Sequence, residues 1–401
     1  MNPPYTLTVT CRQTGAELGY ISIDSVINDR ARGGLRLMPD VTRGELEKLA
    51  RAMTLKYGLL GLPQGGAKGG VIGDPEASPE ERALFLRTFA SAAAAALLAR
   101  RYVPDADMGT TGPDIQDMLE GLKIRLSKRE YRGNLSGLYT AGTVFEAARA
   151  AARHQHVPLH ESRVVIEGFG KVGRPLAGMF ADEGARIVAI STSAGGLFHA
   201  DGLDARTLIS RAKSLGRGIV GETDLGMSIT AAELKFIDAD FFCPCARHDS
   251  VLEEHVDRVT ARIISPGANC PITPEAQDLL WQRGCICIPD FVANSGGVLG
   301  GTMEFCGWNS DEILRFFTAA FRPMVASLIE DAASTGASLR GIAEKRALQR
   351  FALTKRQAEK KTTAGMILAA VLVAYHRGLI PSRLMRRLTT SYFRQRLTLS
   401  G

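Results

Sequence analysis

The chain has 401 residues, of which 45% are hydrophobic and 23% charged, so it is long enough for two globular domains with sizeable cores. Its longest apolar runs are about a dozen residues, whereas a membrane-spanning helix needs roughly 20. The N-terminus shows no basic segment followed by an apolar stretch, as a secretory signal would. The composition excludes a membrane protein and predicts one that works in the cytoplasm.

The formal net charge of +7 is spread along the chain, apart from an arginine-rich C-terminal end with helical spacing. This end has few aromatic residues among its arginines, and a solvated helix face or a subunit contact explains it better than a nucleic-acid site. A basic balance also suits a cleft that binds an anionic substrate and a pyrophosphate cofactor. We therefore predict no nucleic-acid partner and a small-molecule substrate.

The seven cysteines include two pairs with the spacing C-x-C, at positions 243 and 245 and at positions 285 and 287. Neither pair has the C-x-x-C spacing or the nearby histidines of a zinc site. Both lie in strand-like sequence, where cysteine is usually a small buried hydrophobic residue. The sequence therefore predicts no metal site.

The N-terminal part begins with strand-like sequence over residues 7–27, followed by helical spacing of apolar residues over residues 42–60. Thr42 with Glu45 three positions later predicts a capping box at the start of that helix. The segment GLPQGGAKGG is predicted to be a glycine-rich turn that leads into a short strand. A helix opened by Pro79 and a loop of sequence VPDADMGTTGPD follow.

From Arg163 onward, strand-like runs such as RVVIEGFG, ARIVAIS, LKFIDADFF and CICIPD alternate with helical segments, and the chain beyond Asp311 is almost wholly helical. Such alternation is typical of a parallel, doubly wound sheet. We predict an α/β protein with a substrate and oligomerisation domain over residues 1–138. This domain is followed by a Rossmann-type dinucleotide-binding domain over residues 139–310. A helical segment over residues 311–401 then returns to the first domain.

The motif G-x-G-x-x-G occurs once in a suitable context, as Gly168-Phe169-Gly170-Lys171-Val172-Gly173 directly after an apolar strand. Gly168 permits the tight turn, Gly170 lets the backbone approach a pyrophosphate, and Gly173 allows the helix to pack closely on the strand. The pyrophosphate binds at the N-terminal amides of that helix. The motif predicts a site for NAD or NADP.

The end of the next strand indicates which of the two coenzymes is favoured. It has the sequence Ser191-Thr192-Ser193 and lacks the acidic residue that usually binds the ribose 2′-hydroxyl of NAD. The hydroxyl of Thr192 can donate to a 2′-phosphate and does not repel it. The sequence therefore slightly favours NADP, or use of both coenzymes.

A group of charged residues in the N-terminal half is associated with glycines. Lys68 has two glycines close on each side, Lys56 precedes it on the predicted helix, Arg32 comes before Gly33-Gly34, and Asp107 lies in PDADMGT. A lone lysine is usually a solvated surface residue. Glycines around it expose the backbone and permit the close approach of another group, so we predict a functional role for Lys68.

The stretches ARGGLR, MTLKYGLLGLPQGGAKGG, VPDADMGTT, GFGKVG, PGAN and PDFVANSGGV follow one another over most of the chain. In this order they resemble the glutamate/leucine/phenylalanine/valine dehydrogenase family. The resemblance implies reversible oxidative deamination of an L-amino acid to a 2-oxo acid and ammonia, with NAD or NADP as cofactor. It also implies a closed homo-oligomer, often a hexamer or an octamer.

The resemblance assigns roles to individual residues. It implies that Lys68 and Asp107 are the catalytic residues and that Lys56 holds the substrate α-carboxylate. It places Asn294 near both the nicotinamide and the substrate amino group. The other implied positions are Arg32, Gly33, Gly34 and Gly301 for the substrate, and Thr140, Thr192, Ala246, Asn269 and the residues of the glycine motif for the cofactor.

These roles agree with the chemistry of deamination, which needs a base to activate the water that attacks an iminium. A free lysine, with a pKa near 10.4, is a poor base at neutral pH. Burial and nearby positive charge both lower that pKa, and we expect Lys56 and Arg32 to supply the charge. Lys68 is then the base and Asp107 the proton shuttle for the substrate nitrogen.

The choice of amino acid is less well defined by the sequence. Arg32 keeps the positive charge that glutamate-specific members carry at this position, whereas Gly301 lacks the hydroxyl of their later serine. Branched-chain members have small or apolar residues at both positions. Glutamate is favoured, with a branched-chain or aromatic amino acid as the alternative.

Two alternatives from other classes are a non-catalytic sensor or scaffold that keeps the cofactor site, and a dehydrogenase of hydroxy acids that does not use ammonia. The first would be marked by the loss of a catalytic residue, and the second has no need of two clustered lysines. The turn CPCARHD departs from the alanine-rich turn of the family, and we predict that His248 within it is a loop residue without a catalytic role.

Overall fold

The structure is a computed structural model that describes residues 2–124, 135–360, 370–375 and 377–398. The chain divides into two compact units. The first consists of Met1–Asn134 and Arg346–Met385, and the second of Leu135–Lys345 and Arg386–Ser400. Each unit has its own β-sheet, and the fold is the predicted two-domain α/β class.

The first unit contains a five-stranded mixed sheet in the order β1-β2-β4-β3-β5. Neighbouring strands are antiparallel from β1 to β4, and β3 runs parallel to both β4 and β5. The strands are β1 (Tyr5–Thr10), β2 (Glu17–Ile23), β3 (Ala31–Met38), β4 (Gly65–Ile72) and β5 (Tyr102–Ala106).

The helices of the N-terminal part of this unit are α1 (Arg43–Leu59), α2 (Pro79–Ala92), α3 (Ala94–Leu98) and α4 (Gly112–Gly121). Helix α1 begins where predicted, because the Thr42 side chain accepts a hydrogen bond from the Glu45 N–H. Helix α2 begins with a complete capping box between Ser78 and Glu81. The single helix predicted after Pro79 is interrupted at Ala93, which separates α2 from α3.

The two faces of this sheet differ because side chains alternate along a strand. Ala67 and Val71 of β4 lie on the face that forms the apolar core with α2 and α4. Gly66, Lys68 and Gly70 lie on the face covered by α1. A Cβ atom on Gly66 would lie 2.3 Å from the Thr54 nitrogen of α1, so only glycine permits this close packing.

The prediction of a glycine-rich turn at GLPQGGAKGG was wrong, because most of this segment is strand β4. The glycines interrupt the usual pattern of alternating side chains, and they permit close packing rather than a change of chain direction. Gly66 approaches α1, whereas Gly69 on the opposite face packs against Tyr102. The predicted loop VPDADMGTTGPD was wrong in part, since its first residues belong to β5 and its last residues begin α4.

The second unit contains a seven-stranded sheet in the order β12-β11-β10-β6-β7-β8-β9. The strands from β12 to β7 are parallel, and β8 and β9 add an antiparallel edge. The strands are β6 (Arg163–Glu167), β7 (Arg186–Thr192), β8 (Gly195–Leu203), β9 (Met227–Ile229), β10 (Phe241–Pro244), β11 (Ile263–Ile264) and β12 (Ile286–Cys287).

Helices pack on this sheet as expected for a doubly wound unit, and the predicted strand LKFIDADFF is shorter than expected. Ala231–Phe236 form a 3₁₀-helix, and the strand itself is limited to β10. The helices from residue 135 onward are α5 (Ser136–His154), α6 (Gly173–Asp182), α7 (Ala205–Leu215), α8 (Pro274–Gln282), α9 (Asp290–Ala293), α10 (Gly296–Phe305), α11 (Ser310–Phe316), α12 (Arg322–Thr335), α13 (Leu339–Glu359) and α14 (Ser382–Thr398).

In the described ranges, no helix has the length and apolar character needed to cross a membrane. The arginine-rich end forms α14, whose exposed positions include Arg383, Arg387 and Arg394. The cysteines at 243, 285 and 287 are buried with free thiols, as predicted, and Cys245 is partly buried.

Candidate active site

Lys68 and Asp107 come together in the first unit because a glycine lies between them. Lys68 is on β4, Asp107 directly follows β5, and β3 lies between these two strands. At the intervening position of β3, a Cβ atom on Gly34 would lie 2.8 Å from the Asp107 Cβ. The absence of a side chain at Gly34 leaves the space in which the Lys68 Nζ contacts the Asp107 Oδ2.

Position 33 is a glycine for a different structural reason. A Cβ atom on Gly33 would lie 1.6 Å from the Ala67 carbonyl oxygen, so β3 and β4 approach too closely for any side chain at this position. The Tyr102 hydroxyl donates to the carbonyl oxygens of Gly33 and Gly34, at 3.1 and 3.2 Å. The glycine pair is therefore held in place from the core side of the sheet.

The Lys68–Asp107 pair is extended by two further charged residues. Arg36, on the same strand as the glycine pair, places its Nε 3.4 Å from the Asp107 Oδ2. Its Nη1 contacts the carboxylate of Glu45 in the first turn of α1. The side chains of Lys68 and Arg36 are only 5% and 6% exposed, so two cations and two carboxylates are paired in a largely buried cluster.

The Asp107 backbone is also fixed. Its N–H donates to the Thr110 hydroxyl at 2.9 Å, and that hydroxyl donates to the Leu35 carbonyl of β3 at 2.8 Å. These bonds tie the segment after β5 to the neighbouring strand. The carboxylate thus approaches Lys68 from a rigid position rather than from a free loop.

Burial is the largest influence on the Lys68 ammonium and lowers its pKa, as predicted; the Arg36 charge lowers it further, and Asp107 opposes both. Burial by itself would raise the pKa of Asp107. The charges of Lys68 and Arg36 outweigh burial and lower that pKa to about 2. Asp107 is therefore a carboxylate at neutral pH, beside an amine that gives up its proton more readily than an ordinary lysine.

Arg36 belongs to this cluster but was not predicted from the sequence. We expected Lys56 and Arg32 to lower the pKa of Lys68, whereas the leading cationic influence is Arg36. The signal was present in ARGGLR, because positions two apart on a strand share a face. Arg36 is therefore on the same face as Gly34, as is Asp105, the residue paired with Gly34 on β5.

Arg32 lies on the same face of β3 and is more exposed than Arg36. Its Nη2 is 3.0 Å from the Asp105 Oδ2, and the two side chains are 41% and 61% exposed. Both charges influence the buried Tyr57 hydroxyl of α1, whose pKa burial raises. Arg32 is thus oriented toward the α1 side of the sheet, where the Lys68 cluster also lies.

Lys56 lies in the last turn of α1 and is buried, at 5% exposure. A buried ammonium group is costly unless a polar or anionic group faces it. The helix that carries Lys56 covers the face of β4 from which Lys68 projects. The structure therefore brings Lys56, Lys68 and Asp107 to one side of one sheet.

In the second unit, each glycine of the GFGKVG motif has the geometry expected of a dinucleotide turn. Gly168 has a φ of +95°, which glycine adopts readily and other residues rarely. A Cβ atom on Gly173 would lie 2.2 Å from the Gly168 carbonyl oxygen, so the helix is packed tightly on the turn. Among the described residues other than its chain neighbours, no atom lies within 4 Å of a Cβ built on Gly170, which leaves the backbone open to a ligand.

The other predicted residues of the motif lie on this turn. Phe169 is buried, Lys171 is exposed, and Val172 precedes α6. The Gly168 N–H donates to the Ser191 hydroxyl at 3.1 Å, which connects the turn to the end of β7. The open N-terminal end of α6 fits the pyrophosphate of a dinucleotide.

The Thr192 hydroxyl, at the end of β7, forms hydrogen bonds with nearby backbone groups. Its hydroxyl donates to the Arg217 carbonyl at 2.7 Å and accepts from the Ala194 N–H at 3.1 Å. The Arg174 guanidinium lies near the glycine turn, with its Nε 3.3 Å from the Gly170 carbonyl. This end of the candidate cofactor site thus has cationic side chains, and the end of β7 has no carboxylate.

Asn294 carries a buried acceptor without a hydrogen-bond partner among the described residues. Its Nδ2 donates to the Ala268 carbonyl at 2.7 Å and to the Asn269 Oδ1 at 3.1 Å. Its Oδ1 receives no hydrogen bond, although the residue is only 4% exposed. Such an acceptor is costly to leave unsatisfied, and it fits a donor such as a carboxamide or an amino group.

The remaining predicted residues lie in the second unit. The Ala246 backbone packs on Gly168, where a Cβ atom would be 2.8 Å from the Ala246 nitrogen. The Thr140 hydroxyl of α5 donates to the Ser136 carbonyl at 2.8 Å. Gly301 of α10 is exposed with open space around it, and His248 is an exposed loop residue, as predicted.

One unit is doubly wound and carries a glycine-rich dinucleotide turn, and the other is an α/β unit with a buried lysine–aspartate pair. Together these features define a two-domain nicotinamide-dependent dehydrogenase. Residues 7–123 match the family model described as Glu/Leu/Phe/Val dehydrogenase, dimerisation domain. Residues 137–358 match that of Glutamate/Leucine/Phenylalanine/Valine dehydrogenase. The chain belongs to this family and is an amino-acid dehydrogenase that acts on a CH–NH₂ group.

Two curated relatives illustrate the match. The glutamate dehydrogenase of Aeropyrum pernix is 31% identical over 299 residues, which cover 70% of this chain and 71% of the relative. The NAD-specific glutamate dehydrogenase of Staphylococcus aureus is 32% identical over 292 residues, which cover 69% of this chain and 68% of the relative.

Solved structures share the fold at lower sequence identity. The hetero-hexameric glutamate dehydrogenase of Thermus thermophilus aligns with a TM-score of 0.72 at 24% identity, over 89% of this chain and 90% of that one. The L-tryptophan dehydrogenase of Nostoc punctiforme aligns with a TM-score of 0.60 at 20% identity, over 88% of this chain and 96% of that one.

Proposed function

We propose that the protein catalyses the reversible oxidative deamination of L-glutamate to 2-oxoglutarate and ammonia. The observation that carries this proposal is the buried contact between the Lys68 amine and the Asp107 carboxylate on the glycine-rich face of the first unit. The glutamate dehydrogenases among the relatives, at 31% and 32% identity, support glutamate as the substrate.

The steps follow from the groups present. Lys56 binds the substrate α-carboxylate through its ammonium group. A bound nicotinamide coenzyme would supply the acceptor for the hydride that leaves the substrate Cα. Lys68 takes a proton from the water that attacks the resulting iminium carbon. The Asp107 carboxylate takes a proton from the substrate nitrogen and returns it to the amine as the C–N bond breaks. The proton left on the new hydroxyl passes to solvent, which leaves the carbonyl of the 2-oxo acid.

Asn294, together with the open glycine turn, is proposed to position the coenzyme. Its Oδ1 accepts a hydrogen bond from the carboxamide of the nicotinamide or from the substrate amino group. The support is the buried oxygen that no described residue satisfies. Thr140, Ala246 and Asn269 are assigned to the same cofactor site.

The preference for glutamate is assigned to Arg32. Its guanidinium is paired with Asp105 through an exposed contact, and exposed ion pairs are weak. The γ-carboxylate of glutamate can therefore replace Asp105 as its partner. The open space at Gly301 supplies no hydroxyl for the same carboxylate, and it favours the alternative, a branched-chain or aromatic substrate.

A single assay tests the reaction and the substrate together. Oxidation of NADH or NADPH is followed by absorbance with ammonia and a panel of 2-oxo acids. We expect ammonia-dependent oxidation that is fastest with 2-oxoglutarate. Faster reaction with a branched-chain or aromatic 2-oxo acid would reject glutamate, and oxidation without ammonia would indicate a dehydrogenase of hydroxy acids. The absence of oxidation with every acid would indicate a sensor or scaffold.

The coenzyme is proposed to be NADP, or NADP and NAD alike, because the end of β7 carries Thr192 and no acidic residue. We expect Thr192→Asp to lower kcat/KM for NADPH by more than tenfold, because the new carboxylate repels the 2′-phosphate. The value for NADH should fall much less, because the new carboxylate can bind the ribose 2′-hydroxyl of NADH, although the hydrogen bond that Thr192 donates to the Arg217 carbonyl is lost.

Steady-state kinetics with both coenzymes makes this measurement. Thr223→Asp, which adds the same charge at an exposed position elsewhere in the second unit, is the matched control. Equal losses with NADH and NADPH in the Thr192 variant, or a parent enzyme that uses NADH alone, would contradict the assignment. Because one relative is named NAD-specific, the use of NADH alone is a real alternative.

We also propose that the chain forms a homo-oligomer, a hexamer or an octamer. The N-terminal family model is described as a dimerisation domain, and one structural neighbour is a hetero-hexamer. The cytoplasm is the proposed compartment.

A further inference from the structure

The Lys68–Asp107 pair does not stand alone on its sheet. Arg36 contacts Asp107 on one side and Glu45 on the other, so the four charges alternate in sign from Lys68 to Glu45. The reaction steps above use Lys68 and Asp107 and give no role to Arg36 or Glu45. The Arg36 side chain is nevertheless buried and that of Glu45 is only 17% exposed, which is unusual for charged side chains without a reason.

We propose that Arg36 and Glu45 are positioning residues that set the protonation of Lys68 in opposite directions, with Arg36 favouring the neutral amine and Glu45 favouring the ammonium. This inference rests on the proposed function in that it takes Lys68 as the base. It adds two residues that do not touch the reacting atoms. The balance between their charges decides the pH range in which Lys68 works as a base.

The geometry supports an electrostatic role of both residues toward Lys68. Arg36 binds Asp107 and Glu45 and makes no contact with Lys68 that would transfer a proton, and its guanidinium cannot serve as a proton acceptor. Glu45 is fixed at the first turn of α1, with its N–H bonded to Thr42. Both side chains belong to the chain of ion pairs that ends at Lys68, and at 6% and 17% exposure they lie where electrostatic interactions are stronger than in open solvent.

Three of the four elements around Lys68 carry charged groups. Strand β3 supplies Arg36, the end of β5 supplies Asp107, and α1 supplies Glu45 and the buried Lys56. Strand β2 pairs with Lys68 through Ser22, which carries no charge. The Arg36 charge lowers the Lys68 pKa and the Glu45 charge raises it, in the directions that the geometry requires.

The test compares the pH dependence of kcat/KM for deamination in three variants. Glu45→Gln removes the anion, lowers the pKa of Lys68 and moves the rise of activity to lower pH. Arg36→Gln removes the cation and moves the rise to higher pH. We expect each displacement to be on the order of one pH unit. The double variant should return close to the parent.

The controls separate electrostatics from damage to the fold. Glu47→Gln and Arg43→Gln remove the same charges from exposed positions on α1 and should leave the midpoint unchanged. Arg36→Lys keeps the charge and should keep the parent midpoint. If Arg36→Gln does not fold, two measurements still test the proposal. They are the shift of the activity midpoint to lower pH in Glu45→Gln and the unchanged midpoint in Arg36→Lys.

A second readout does not depend on activity. The rate at which Lys68 is acetylated by acetic anhydride, measured peptide by peptide against pH, gives the protonation midpoint directly. Opposite displacements in the two single variants support the inference even if the protein deaminates no amino acid. Displacements in the same direction, or none in folded variants, would overturn it whether or not the enzyme is active.

Discussion

Lys68→Ala is expected to lower kcat for deamination by about 10²- to 10⁴-fold, the range typical of a lost general base. The reason is that the buried amine is the group that activates the attacking water, and no other described side chain contacts Asp107 with a titratable amine. Binding of the coenzyme should be preserved, because the glycine turn lies in the other compact unit.

The measurement is steady-state kinetics with the coenzyme Kd determined in parallel by fluorescence. Lys48→Ala, at an exposed position on α1, is the matched control and should retain parent activity. Circular dichroism checks folding, because removal of one buried charge leaves Asp107 with Arg36 alone. If folded Lys68→Ala has a kcat within a factor of about three of the parent value, Lys68 is not the base.

Asp107→Asn is expected to lower kcat by a similar factor of about 10² to 10⁴, although it makes Lys68 easier to deprotonate. The Asp107 charge opposes the lowering of the Lys68 pKa, so its removal lowers that pKa further. A variant with a more easily deprotonated base and yet little activity would show that Asp107 transfers protons itself.

The pH profile distinguishes this role from a purely electrostatic one. If Asp107 only tuned Lys68, Asp107→Asn would reach the parent plateau at a lower pH. Asp117→Asn is the matched control, because it removes an exposed carboxylate that pairs with Arg87 on the surface. A parent-like plateau in Asp107→Asn would contradict the proton-shuttle role.

Much of the second unit could be predicted from the sequence. The β-branched runs of β6 and β7 are strands, and each glycine of the motif shows the conformation or packing that its position requires. These features are local, since a turn with positive φ and a tight helix–strand contact depend on neighbouring residues.

The first unit was harder to predict because its glycines serve long-range contacts. Gly66 is glycine because α1 packs on β4, and Gly34 is glycine because Asp107 reaches across β3. Neither neighbour is close in sequence, so a glycine-rich strand resembled a turn. Lys68 and Asp107 were named as candidates from the sequence, but their arrangement on one face of one sheet depends on strand order, which sequence patterns do not determine.

The cationic neighbour of Lys68, Arg36, was missed for a related reason. Arg36 is two positions beyond Gly34, and its importance follows only when β3 is known to lie between β4 and β5. Arg32 has the same charge and the same face, yet its partner is the exposed Asp105. Sequence alone does not distinguish a buried arginine from an exposed one four residues away on the same strand.

The central claim is that the amine at position 68 is the base, and the most direct test replaces only that amine. Lys68→Cys should be inactive, and alkylation with 2-bromoethylamine should restore activity by creating a thioether analogue of lysine, with the parent treated in parallel as control. Because sulfur withdraws electrons, the analogue has a lower pKa, and we predict that the rise of activity moves to lower pH. Restored activity with an unchanged pH profile, or no restoration in a folded and fully alkylated variant, would contradict the claim.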